Sequence, residues 1–247
     1  MARITEAKTK EIICREWDVV NPRRQTAIKM GLDISLSHVT APCIMRHIIN
    51  DKPNTVLDIG CGTGYLTYEI SKLVDSCVGI DMSEKSIACA QKNYKRENLS
   101  FIRCIINNYQ FSGFFDACVA NMVFSSDPIW QHSLTHIIDF LPLGGKLYFT
   151  IPHPFFWAKY WKYENEPWYC YSKELFIENN FSLSLVPNLG ISTFIHRPLS
   201  HYINSLIHIG FSIEAIEEPY PVGDIPSGYC YDYPRFLFIK CIKAKQY

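Results

Sequence analysis

The chain has 247 residues, 48% of them hydrophobic, with a formal net charge of zero and ten cysteines. That size and apolar content support one full core, so a single domain over residues 1–247 with room for an insertion is expected. The balanced charge excludes the basic footprint of a nucleic-acid binder. No apolar run approaches the roughly 20 residues of a membrane helix.

The start of the chain is polar through Glu16, which argues against a secretory leader. The cysteines form no Cys-x-x-Cys pair, so neither a zinc ribbon nor a redox motif is read. That many unpaired thiols point to a reducing, cytoplasmic compartment.

Residues 5–20 offer Ile12, Ile13, Trp17 and Val20 as one helical face, and Asn21-Pro22 is expected to end that helix. Residues 36–50 read as a second helix burying Ile44, Ile48 and Ile49, completing an N-terminal helical segment over 1–50. Asp51-Lys52-Pro53-Asn54 is a turn. Strands at 55–59, 76–80, 100–104, 115–120 and 145–151 then alternate with helices at 64–73, 84–96 and 128–140. Alternation of this kind predicts an α/β fold, a parallel sheet with helices on both faces.

Beyond Ile151 the pattern changes. Residues 152–198 are crowded with Trp157, Tyr160, Trp161, Tyr163, Trp168, Tyr169 and Tyr171. Within them, 181–185 alternates like a half-buried strand that 191–196 could pair with. A helix from Leu199 to Ile209 ends at Gly210, and strands at 211–217 and 235–242 close the chain.

The most informative segment is Val56-Leu57-Asp58-Ile59-Gly60-Cys61-Gly62-Thr63-Gly64-Tyr65. A β-branched run leads into three alternate glycines, the residues that permit a tight turn and close ligand approach. Asp81 ends the next strand, 21 residues beyond Gly60, where a ribose-binding acid follows such a turn. Tyr65 stands where the dinucleotide fingerprint needs its third glycine, which disfavours a nicotinamide cofactor.

The segment resembles motif I of the class I S-adenosylmethionine (SAM) methyltransferases. Val78 to Ser83 resembles the second motif of that family, Phe114 to Asn121 the fourth, and Leu143 to Leu147 the turn before its fifth strand. These cover residues 53–152 in the order and spacing of the family. The resemblance implies a Rossmann-like sheet of seven mostly parallel strands, helices on both faces, an antiparallel final strand, and an aromatic-rich cap inserted at 152–198.

By the same resemblance, Asp58, Gly60, Cys61 and Gly62 would line the methionine and ribose part of SAM. Asp81 would accept the ribose hydroxyls, and Met82 would pack on adenine. The acid that many members use for the adenine amino group falls here at Ile105. Either backbone and apolar contact at Ile106 takes its place, or Asn107 or Asn108 does. Asn121 would lie near the reacting methyl or cap a helix.

His153, after the fifth strand, is the candidate general base, with turn capping or substrate orientation as its other reading. His196 and Arg197 are candidates to face the cleft, the arginine for an anionic substrate, against a plain surface role. Trp157, Tyr160 and Trp161 are candidate substrate walls, which exclude water. His132 and His136 lie four apart but lack a third ligand, so no metal is expected.

Together these imply methyl transfer from SAM to a small molecule, on oxygen (hydroxyl or carboxylate) or on nitrogen. The other reading is a regulatory SAM-binding protein without transfer chemistry. A monomer or homodimer without nucleic-acid or membrane partners is expected.

Overall fold

In the computed structural model, which describes residues 1–226 and 229–245, a short strand β1 (Arg3–Thr5) precedes a 20-residue helix α1 (Lys10–Lys29). Thr9 starts α1, its side chain accepting the Ile12 N–H. Pro22 does not end the helix as the sequence suggests. Proline inside a helix costs about 3 kcal/mol. Burial of Val20, Asn21, Gln25 and Ala27 around it offsets that cost.

Residues Ser35–Thr40 form a π-helical stretch in which the Ala41 N–H reaches back five residues to the Leu36 carbonyl. Helix α2 (Ala41–Asp51) follows, with Pro42 in its first turn, where no N–H is needed. Ile44 and Ile48, four apart, are buried, but Ile49 is 54% exposed because it sits one step round the helix.

The alternating region then gives β2 (Thr55–Ile59), α3 (Tyr65–Ser71), β3 (Ser76–Asp81), α4 (Glu84–Asn93), β4 (Leu99–Arg103), β5 (Ala117–Asn121), α5 (Trp130–Asp139) and β6 (Lys146–Pro152). Residues 152–198, where the cap is expected, hold a short helix α6 (Trp157–Tyr160) and a long hairpin, β7 (Leu175–Leu183) and β8 (Val186–His196). The paired strands begin earlier than the sequence suggests, and β1 joins them as a third strand on β7. Helix α7 (Leu199–Ile209), capped by left-handed Gly210, leads to β9 (Phe211–Glu217) and β10 (Phe236–Lys243).

The main sheet has the order β4-β3-β2-β5-β6-β10-β9, parallel except for β10, which runs antiparallel to both neighbours. Period-two alternation splits its core. Leu57, Ile59, Cys118 and Phe149 pack against α5 and α7, while Val56, Cys77, Val119 and Tyr148 pack against α2 and α3. The order of strand addition reverses between β2 and β5, which run parallel, and ligand crevices in open α/β sheets form at the carboxyl ends of strands flanking such a point. All ten cysteines are free, and no helix of the described residues is long and apolar enough to cross a membrane.

Candidate active site

The turn after β2 is built by glycine. Gly60, Gly62 and Gly64 all have positive φ, at 64°, 55° and 88°. A Cβ on Gly64 would come within 2.7 Å of the Phe101 ring and 2.8 Å of Ala90, and one on Gly60 within 2.6 Å of Val123. At Gly62 the space is open, with only the Asn21 amide at 3.9 Å. The backbone is thus pinned at two points and left approachable at the middle one.

Two acids, Asp58 buried and Asp81 half-buried, sit at this turn. The Asp81 carboxylate accepts the Gly62 N–H at 2.9 Å through Oδ2 and the Ser83 N–H at 2.8 Å through Oδ1. Burial pushes its pKa up to about 6 even though both amides oppose the shift. Asp58 accepts the Thr67 hydroxyl at 2.6 Å, and burial raises it to about 7.

Above the turn lies α1. Lys10, Cys14, Trp17, Asn21 and Arg24 recur at helical spacing and line one cavity with Gly60, Gly62, Asp81, Met82, Ile105, Ile106 and Asn121. Asp18 of α1 accepts the Ser83 hydroxyl, and Asn21 donates to Ser86 at 2.8 Å, so the helix is fastened to the start of α4. Lys10 pairs with Asp127 at 3.1 Å and donates to Asn107 and Ser133 at 2.9 Å each. A side pocket opens beside the glycines, walled by Asp58, Cys61, Gly62 and Asn121.

A further cavity lies beneath the cap. Trp157, Tyr160, Trp161, Phe181, Phe194 and Phe236 give it an aromatic wall, and Thr40, Ser125, Ser192 and Thr193 add hydroxyls. It shares Trp17, Arg24, Met122 and Ser126 with the cavity under α1. Met122 follows β5 with a positive φ of 64°, an uncommon backbone state for a side-chain-bearing residue. Its N–H is held by the Thr150 carbonyl at 3.0 Å.

Of the residues singled out from sequence, Asp58, Gly60, Cys61, Gly62, Asp81, Met82, Ile106 and Asn121 line the connected cavities under α1, and Trp157, Tyr160 and Trp161 line the cap cavity. Asn107 stands outside these walls, engaged by Lys10 and by His132 at 3.1 Å. His153 is also outside them. Its Nδ1 accepts the Phe155 and Phe156 N–H groups at 3.2 and 3.3 Å, which leaves Nε2–H to donate to Glu218 at 2.9 Å. Burial, opposed by Glu218, holds its pKa below the ordinary value.

His196 is fully buried and donates from Nε2 to the Tyr171 carbonyl at 2.9 Å; burial lowers its pKa as well. Arg197 does not face the cleft. It is 1% exposed, paired with Glu174 and donating to the Phe124 and Asp127 carbonyls at 2.8 and 3.0 Å. Its fork is spent on orphan carbonyls in the loop after β5, a role that residue type alone does not announce.

The sequence reading missed Lys10, Asn21, Arg24 and Met122. The first three recur with helical period, but a helix halted at Pro22 leaves Arg24 off the face.

The methyltransferase-domain family matches residues 56–145. An uncharacterized protein of Haemophilus influenzae is 26% identical over 86% of this chain and 91% of its own length. A malonyl-[acyl-carrier protein] O-methyltransferase of Bacillus cereus is 31% identical over 38% of this chain and 36% of its own. Among solved structures, magnesium protoporphyrin IX methyltransferase from Synechocystis superposes with a TM-score of 0.62 at 15% identity, covering 95% of this chain and 99% of that one. Residues 56–145 therefore match the methyltransferase-domain family, and the chain as a whole has the fold seen in class I SAM-dependent methyltransferases.

Proposed function

We propose that this chain moves the methyl group of SAM to an oxygen atom of a small molecule held under the aromatic cap. The observation that carries this is the shared wall of the two cavities. Trp17, Arg24, Met122 and Ser126 border both the space over the glycine turn and the space under the cap. A donor in the first and an acceptor in the second would meet there.

The residues present fit the donor. Gly62 leaves its backbone open where a Cβ would intrude on a ligand, Asp81 is a half-buried acid poised for ribose hydroxyls, and Ile80, Met82, Ile105 and Ile106 offer apolar contact to a base. SAM brings a methyl group already activated on sulfur. What the protein adds is positioning and exclusion of water, the largest lever for such a transfer. In this reading α1 covers the donor, the cap covers the acceptor, and His153 and His196 secure the cap rather than move protons.

The test is release of S-adenosylhomocysteine (SAH) from SAM in the presence of small-molecule pools, with product mass raised by one methylene. Thermal shift with SAH against NAD checks the donor first. Stabilisation by NAD and not by SAH would overturn the assignment. Product methylated on nitrogen would move the acceptor atom while keeping the donor.

A further inference from the structure

The cap cavity has an unusual inventory of ionisable groups. Among the described residues its lining contains no His, Lys, Glu or Cys; Arg24, Asp33 and Tyr160 are its only ionisable side chains. Asp33 is not free to act as a base. It is 1% exposed, its Oδ2 accepts from Arg24 Nε at 2.6 Å and its Oδ1 accepts the Leu36 N–H at 3.1 Å. On the donor side, Asp127 is held by Lys10 and by the Ser133 hydroxyl.

One residue lining this cavity carries a donor without a partner. Trp157 is 7% exposed and its indole Nε1–H is buried without a hydrogen bond. An orphaned buried donor costs about 1–3 kcal/mol, so a ligand acceptor atom that meets it regains binding strength. Arg24 is the second donor, and Asp33 occupies only the Nε edge of its fork.

We propose that the acceptor is a carboxylate on an apolar body, bound under the cap with Trp157 Nε1 and Arg24 as its donors, and that the product is its methyl ester. This rests on the methyl-transfer reading above and names its substrate class. A carboxylic acid is ionised at neutral pH, so it needs no base, whereas an alcohol or an ammonium must first lose a proton. A carboxylate oxygen pair forms the new carbon–oxygen bond as the carbon–sulfur bond breaks. The breaking pair returns to sulfur, leaving neutral SAH and a neutral ester, and no proton moves. The aromatic wall strips water from the anion and sharpens its attack.

The experiment uses calorimetry on the full chain, first with SAH alone and then, with SAH saturating, with phenylacetate, cinnamate and decanoate. Matched probes are phenylacetamide, 2-phenylethanol and 2-phenylethylamine. Failure of SAH to bind would overturn the methyl-transfer reading itself. With SAH bound, the expected result is millimolar or tighter binding of a carboxylate and at least about tenfold weaker binding of its neutral and cationic matches. Trp157→Phe removes the N–H together with part of the indole ring, so it should weaken the carboxylate about tenfold more than it weakens 2-phenylethanol, which reports the packing loss, while leaving SAH affinity unchanged.

Arg24→Gln should weaken the carboxylate further; a loss confined to SAH would overturn its assignment to the acceptor. Equal binding of amide or amine, no carboxylate binding at millimolar concentration, or an unaffected Trp157→Phe variant would each overturn the proposal. With tritiated methyl donor, the methyl ester is read as base-labile volatile methanol, which N-methyl and ether products do not release.

Discussion

Asp81 at the end of β3 accepts the Gly62 N–H at 2.9 Å, so the acid that would bind ribose also closes the glycine turn of the neighbouring strand. Burial leaves this carboxylate with a pKa of about 6. Ligand hydroxyls donate to the ionised form and favour it. SAH affinity should therefore rise about tenfold per pH unit below pH 6 and level off above it. Asp81→Asn should weaken binding and flatten that slope. Calorimetric titrations from pH 5 to 8 measure both, and an unchanged slope in the variant would assign the titration to another group.

Asp58 gives a stability prediction of opposite appearance. Its pKa is about 7 in the fold against 3.8 as a model carboxylate, with burial as the leading cause. A raised acid favours the fold when protonated. The fold is therefore favoured at low pH, and that advantage is lost as pH rises from about 4 through 7. Asp58→Asn keeps an acceptor for the Thr67 hydroxyl and removes the buried charge. It should stabilise the ligand-free protein by about 3–4 kcal/mol at pH 8 and by under half as much at pH 5. Urea melts at the two pH values read this directly.

The glycine turn separates packing from conformation. Gly64→Ala places a methyl against Phe101 and Ala90 at a φ of +88°, with the neighbours on two elements. Overpacking and a disfavoured φ together should cost about 2–4 kcal/mol. Gly62→Ala meets open space and only the positive φ, so it should cost about 1 kcal/mol while impairing SAH binding more. Equal melting temperatures for the two variants would refute this division.

How much of this could be read from the chain differs by region, for physical reasons. Strand periodicity and the Gly60-to-Asp81 spacing are local signals, and the sheet with its ligand crevice follows from them. The cap hairpin was partly hidden because Asn179 and Asn180 interrupt its alternation, while its registry with β1 joins residues some 170 apart. Pro22 misled because tertiary burial of α1 outweighs a local penalty that sequence expresses faithfully. The fates of Arg197 and His153 depend on which backbone groups the fold leaves unpaired, and no spacing encodes that.

Arg197 makes a stability site of what residue type suggests is a substrate contact. Its guanidinium is buried and bridges Glu174 of the cap to carbonyls at Phe124 and Asp127. Arg197→Ala strands those acceptors and should cost about 3–5 kcal/mol. Arg197→Lys keeps charge but not the fork, and should recover only part of it. A variant that melts like wild type but has a raised KM for the acceptor would return Arg197 to the cleft.

His153 offers the sharpest separation of positioning from proton transfer. Its Nδ1 accepts two backbone amides that turn the chain into α6, and α6 carries the Trp157 and Tyr160 walls. His153→Asn keeps an acceptor near Nδ1, whereas His153→Ala leaves the amides unpaired. The asparagine variant should retain turnover within about threefold, and alanine should lose about 1–2 kcal/mol of stability together with acceptor affinity. A general base would behave otherwise: both variants would lose about 10²-fold or more in kcat, with the acid limb of the pH profile abolished. Steady-state kinetics of the two variants from pH 5 to 9 distinguish these outcomes, because asparagine is spared only if the role of His153 is that of a hydrogen-bond acceptor.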